Sequence, residues 1–198
     1  MTTLADILSL VLAVVPKHDK ETLVRTRINS AINLISKSGY FWRDIVENTI
    51  TATDGVDVSA LTQSITLSGV ERKFIYVKST TTTEKPITLI SPERLVKNDC
   101  AGILPIAYVA GSTLHIKHEE LATSFDLAYY TSPTPFELDG TDDASTNWIL
   151  TQVPDLVVDL ASAYILNIMG DTEDSKRILD LSTVLRGTYI RDFVDSHE

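Results

Sequence analysis

The chain has 198 residues, 43% of them hydrophobic and 22% charged, and a formal net charge of −10. These are globular proportions, and no apolar run approaches the ~18 residues of a membrane-spanning helix. Cys100 is the single cysteine, which excludes an intrachain disulfide and a multi-cysteine metal site.

The first apolar stretch predicts a helix over Thr3–Val15, with Leu4, Ile7, Leu8, Val11 and Leu12 on one face and Pro16 ending it. Asp6 lies inside this stretch and no base precedes it, so it reads as a core helix and not as a signal peptide. Asp19 is placed to cap a second helix over Lys20–Ser38, whose stripe is Val24, Ile28, Ala31, Ile32 and Ile35 and whose end is Gly39. Arg25, Arg27, Lys37 and Arg43 make this the most basic helical stretch, a candidate face for pairing with acidic helices across an interface. The aromatic run Tyr40-Phe41-Trp42 follows, and burial beneath the join to the next segment is its expected fate.

From Glu47 to Thr131 the period shortens. Thr49–Ala52, Ser64–Leu67, Phe74–Val77, Ile87–Ile90, Ile106–Val109, Thr113–Ile116 and Phe125–Ala128 are β-rich runs separated by turn residues. Ala110-Gly111-Ser112 is the clearest hairpin signal, and Ser91-Pro92-Glu93-Arg94 starts a short interrupting helix. The segment Thr131–Ser145, rich in Pro, Gly and Asp, is an irregular strap back to helical sequence. Pro154 then opens a helix with the stripe Val157, Leu160, Ala161, Tyr164 and Ile168, and Gly170 supplies its left-handed cap. Asp171 or Thr172 caps a last helix with the stripe Ile178, Leu181, Leu185, Tyr189 and Phe193. So short a break folds the two helices back on each other as a hairpin.

This order predicts an α+β protein: a discontinuous antiparallel four-helix bundle, two helices N-terminal and two C-terminal, with an inserted small antiparallel β-sandwich or barrel. The bundle takes residues 1–44 and 141–198, and the β domain takes 45–140. The charge is uneven, with 13 acids and 4 bases in residues 137–198 against 14 acids and 13 bases in 1–136. A domain so acidic is a poor ligand for nucleic acid, whose affinity comes largely from Lys and Arg displacing counterions from phosphates.

Chemical signatures are missing. There is no phosphate-cradling glycine loop, no nucleophile elbow and no zinc-protease helix motif. His115 and His118 are offset by three, which sets them on opposite faces of a continuing strand and argues against a shared metal. Asp142-Asp143 sits where turns want Asp for backbone reasons. No catalytic, cofactor-binding or metal-binding residue is predicted, and the chain does not read as an enzyme.

Several short runs carry a resemblance: Arg27-Ile28-Asn29-Ser30-Ala31-Ile32 leading to Ser38-Gly39-Tyr40-Phe41-Trp42, Leu127-Ala128-Tyr129-Tyr130, Asn147-Trp148, Pro154-Asp155-Leu156, Ala161-Ser162-Ala163 and Gly170-Asp171 before an acid-rich helix. Together they resemble the adaptor proteins of short-tailed bacteriophages, the head-to-tail connector or tail tubular protein A-like family. The resemblance implies a structural virion protein at the head–tail interface, assembled in the host cytoplasm as a homo-oligomeric ring, usually a dodecamer. Its implied partners are the portal protein, the tail nozzle protein and, as a further candidate, tail fibres. Genomic DNA passes its lumen without specific binding, and neither a cofactor nor a membrane is involved. The polar tail and apolar last turns of the final helix mark Arg186, Tyr189, Ile190, Phe193 and Val194 as the candidate portal-docking residues. A second class stays open, a carbohydrate- or partner-binding β module on a helical stalk.

Overall fold

The computed structural model describes residues 1–15, 21–39, 41–51, 62–67, 71–80, 86–96, 105–117 and 124–194. The chain divides into two compact units, a helical one of residues 1–43 and 132–198 and a β one of residues 44–131. The strap after Thr131 therefore groups with the helices.

In the helical unit the elements are α1 (Leu4–Val14), α2 (Glu21–Lys37), α4 (Trp148–Gln152), α5 (Pro154–Met169) and α6 (Thr172–Val194), while α3 (Pro92–Val96) belongs to the β unit. All four amides that begin α1 find acceptors. Leu4 donates to the Ser145 carbonyl and Ala5 to the Asp143 carbonyl, Asp6 to Thr3 Oγ1 and Ile7 to the Thr3 carbonyl. The Asp6 carboxylate returns the bond by accepting from the Thr3 amide at 2.8 Å, which completes a capping box. Thus the strap supplies two of the acceptors that a helix start lacks.

Asn147 caps α4 by accepting from the Leu150 amide at 2.9 Å, and Pro154 restarts the chain as α5 because its ring supplies no amide to continue α4. Gly170, at φ 87°, ends α5, and the Asp171 amide reaches back to the Leu166 carbonyl. α5 is the hub: Leu156, Val157, Leu160, Ala161, Ser162, Ala163 and Ile165 are all buried, so nearly every side of it is covered. The core joins these to Leu4, Ile7 and Val11 of α1, to Val24, Ile28, Ala31, Ile32 and Ile35 of α2, and to Ile149 and Leu150 of α4. Each buried Val, Leu or Ile among them contributes about 1.5–3 kcal/mol by leaving water.

The described residues of the β unit form one curled, seven-stranded mixed sheet. Its strands are β1 (Ile45–Thr51), β2 (Thr62–Thr66), β3 (Glu71–Ser79), β4 (Pro86–Leu89), β5 (Ile106–Ala110), β6 (Thr113–Lys117) and β7 (Ser124–Thr131), in the order β1-β7-β3-β4-β5-β6-β2. β5 and β6 form a hairpin through Gly111, whose φ of 60° a two-residue turn requires. Leu114 and Ile116 alternate inward on β6, as do Phe125, Leu127 and Tyr129 on β7.

The expected four-helix bundle with an inserted antiparallel sandwich or barrel is not what forms. Among the described residues there are six α-helices, and a single sheet replaces two packed layers. Two local causes account for this. The Asn147 cap and Pro154 cut out α4 as a helix of its own, and α6 packs chiefly on α5, so the helices gather around α5 without closing a four-cornered bundle. In the sheet, β4 and β5 pair in parallel, Thr88 with Ile106 and Leu89 with Ala107. A parallel pair needs a crossover and cannot be a hairpin. The short helix read at Ser91-Pro92 lies in that crossover.

The basic face of α2 also needs correction. Arg25 is only 3% exposed and its partners lie within its own unit. Its Nε and Nη2 donate to Glu21 Oε1 at 3.0 and 2.6 Å, and its Nη1 donates to Asp143 Oδ1 at 2.5 Å. Beside it, Asn29 and Phe136 exchange two hydrogen bonds, 2.8 and 3.0 Å long, like a short piece of ladder. Of the aromatic run, Phe41 is buried against Trp148 with ring centroids 5.0 Å apart. Trp42 stays exposed beneath the Arg43 guanidinium, and Tyr40 lies outside the described residues.

Replacing Asp143 by Ala removes a charged partner from a buried cation and is expected to lower stability by roughly 1.5–3 kcal/mol, the range for hydrogen bonds to charged groups. Glu21→Ala, at the more exposed partner, is expected to cost less. Urea unfolding followed by helical circular dichroism measures both, and an Asp143→Ala midpoint equal to wild type would contradict the assignment.

Candidate functional site

The surface with the strongest sequence claim is the α5–α6 hairpin. Its two helices approach through small residues: Ser175 is buried and donates to the Ala163 carbonyl at 2.8 Å, and Ser182, one heptad on, is buried and donates to the Leu179 carbonyl at 2.9 Å. The inward face of α6 is therefore Ser175, Leu179 and Ser182. This shifts the apolar stripe read from the sequence. Leu181 is 61% exposed and Ile178 is half-buried, while on α5 Tyr164 is half-buried and Ile168 exposed. Hydropathy could not find this face, since its key residues are serines.

Acids cover the outside of the hairpin. Asp155, Asp171, Glu173, Asp174 and Asp180 are exposed, and the Asp171 carboxylate accepts from the Asp174 amide to start α6. Asp159 is only partly exposed. Loss of solvent around it, and then the neighbouring Asp155 charge, raise its pKa above the ordinary carboxylate value.

α6 has 23 residues and α5 has 16. At 1.5 Å per residue, a helix folding straight back from Gly170 runs past the start of its partner by about 10 Å. The five residues named for portal docking, Arg186, Tyr189, Ile190, Phe193 and Val194, fall at or near this overhanging end. The backbone there is helical, and their side chains lie outside the described residues, as does the tail 195–198.

The β unit offers other groups. A cavity of about 500 Å³ is floored by Leu67, Phe74, Leu89, Ile90 and Val109, with Glu71, Lys73 and Tyr108 also on its walls. That volume is within the usual range for small-ligand sites. On the sheet, Ser64 Oγ lies 3.1 Å from His115 Nδ1, and the His115 ring stacks on Tyr108 at 4.9 Å. Ser64 and His115 are directly opposed strand neighbours, so a cross-strand polar pair explains the contact without invoking a nucleophile and its base. Thr49 donates to Asp126 at 2.6 Å, and loss of solvent followed by the Glu47 and Asp126 charges push the Tyr76 phenol up. His118 lies outside the described residues. Among those described, no group of three or more His, Cys, Asp and Glu is placed to hold a metal ion, and no helix is long and apolar enough to cross a membrane.

Asp142 and Asp143 have backbone and packing duties. Asp142 accepts from the Glu137 amide at 2.8 Å, and Asp143 is the Arg25 partner. Neither protein-family models nor curated proteins match the chain.

Two kinds of carboxylate make opposite contributions with pH. Asp6 and Asp139 have lowered pKa values because they accept bonds from Thr3 and Thr141, respectively. Their stabilisation is present above the unfolded-chain value and is lost as pH falls through the folded one. Asp159, with its raised pKa, costs stability when ionised, and that cost disappears as pH falls below the unfolded-chain value. Asp159→Asn is accordingly expected to stabilise the protein at neutral pH and to make no difference in acid. Equal gains at both pH values in parallel thermal melts would show that the effect is not one of charge.

Proposed function

We propose that this chain is a structural virion adaptor, a ring component that joins a portal to a tail nozzle and lets DNA pass. The sequence resemblance brings the idea. The observation that carries it is the length of α6, which at 23 residues exceeds the 16 of α5, the helix it chiefly packs on among the described residues, and which carries Tyr189, Ile190, Phe193 and Val194 in its last two turns. A terminal helical arm of this kind can add area on contact with a preformed ring, where many weak copies combine by multivalency.

The acid-covered hairpin supports the same function from the side of charge. A channel for DNA works best when its wall retains few phosphate contacts, because each Lys or Arg contact adds favourable binding and slows transit. The cavity in the β unit favours a second function, a partner-binding β module whose occupant has an apolar body and a polar end.

Removing residues after Thr188 is expected to leave helical circular dichroism and the melting transition nearly unchanged while abolishing capture on immobilised portal rings. Capture at wild-type occupancy by the shortened protein would move the docking contact away from the arm. With duplex DNA the full chain is expected to give no gel shift at physiological salt. A sub-micromolar midpoint would contradict a lumen that lets phosphates slide.

A further inference from the structure

The helices packed around α5 leave two apolar faces in water. On α1, Leu10 and Val14 are 48% and 47% exposed on consecutive turns, and Asp6, one turn earlier, is exposed as well. On α6, Leu181 and Val184 are 61% and 70% exposed, and Arg177 sits one turn before Leu181. Isolated exposed apolar residues are ordinary. Here each helix presents a pair in line behind a charge, and the two charges are opposite. α1 packs on α5 and α2, whereas α6 packs chiefly on α5.

The stripes also match in length. Asp6-Leu10-Val14 spans about 12 Å and Arg177-Leu181-Val184 about 10.5 Å at 1.5 Å per residue. Laid side by side in the same direction, they set carboxylate against guanidinium and two aliphatic side chains against two others. Arg177 has Asp174 3.5 Å away on its own helix, and both groups are well exposed. An exposed contact of that kind is weak, which leaves the guanidinium able to turn to a second carboxylate.

We propose that the Leu10–Val14 face of α1 in one copy docks on the Leu181–Val184 face of α6 in a second copy of this chain. A two-fold contact between like faces would cover only one of the two in each copy. A head-to-tail contact covers both and repeats from copy to copy. The proposal takes from the adaptor reading only that copies repeat head to tail, and it is tested without any portal.

The test uses the full chain and two single variants, Leu10→Glu and Leu181→Lys, followed by sedimentation velocity over rising concentration. Wild type is expected to show concentration-dependent association. Each variant alone is expected to stay monomeric with an unchanged circular dichroism spectrum, since both positions face solvent. An equimolar mixture is expected to recover association, because one junction then joins two native faces and the other joins the new carboxylate to the new ammonium. Val14→Glu and Val184→Lys repeat the test if either first variant perturbs folding. The proposal is overturned if wild type is monomeric up to its solubility limit, if the single variants associate as wild type does, or if the mixture associates no more than its components. A monomeric wild type that portals still capture would sink this contact and spare the adaptor function, and the reverse pattern would do the opposite.

Discussion

Asp143 makes two attachments that the helical unit depends on. Its carboxylate holds the buried Arg25 guanidinium of α2, and its backbone carbonyl accepts the Ala5 amide at the start of α1. The unit is built from two stretches of chain separated by the whole β unit, so the returning strap must find its place on helices already far behind it in sequence. The hydrophobic core provides most of the free energy, at about 1.5–3 kcal/mol for each fully buried aliphatic side chain. It does not choose between nearby positions of the strap. Directional bonds do, and Arg25 is suited to the task because its planar fork meets two carboxylates at once. Gly140 turns the strap beside Arg25 at φ 92°, a backbone conformation that residues with a Cβ rarely adopt.

The punctuation of the chain was legible in its residues. Pro154 and Gly170 bound α5 because one lacks an amide and the other lacks a Cβ, and neither property depends on the rest of the fold. The Gly111 turn and the β-rich runs were legible for similar local reasons. What could not be seen were facts that belong to pairs of elements. The parallel contact of β4 with β5 is invisible in a list of short strands, although the helix at Pro92 was its trace. The rotation of α6 turns Ser175 onto the Ala163 carbonyl of α5 and buries Ser182, and a search for apolar periods passes over serine. Arg25 looked like a surface charge because its two partners are 4 and 118 residues away and only the nearer is a helix neighbour.

That rotation of α6 bears on function. With serines turned inward, the side chains of Leu181 and Val184 are 61% and 70% exposed. α6 is also the longer of the two helices, 23 residues against 16. The acids on the outer hairpin disfavour phosphates beside it.

The adaptor function is tested most directly by electron microscopy of the full chain mixed with portal rings. Closed rings of this protein stacked coaxially on one face of each portal, with a continuous central channel, are the expected result. Portals that remain bare beside scattered single copies, at concentrations where the protein is folded and soluble, would contradict it.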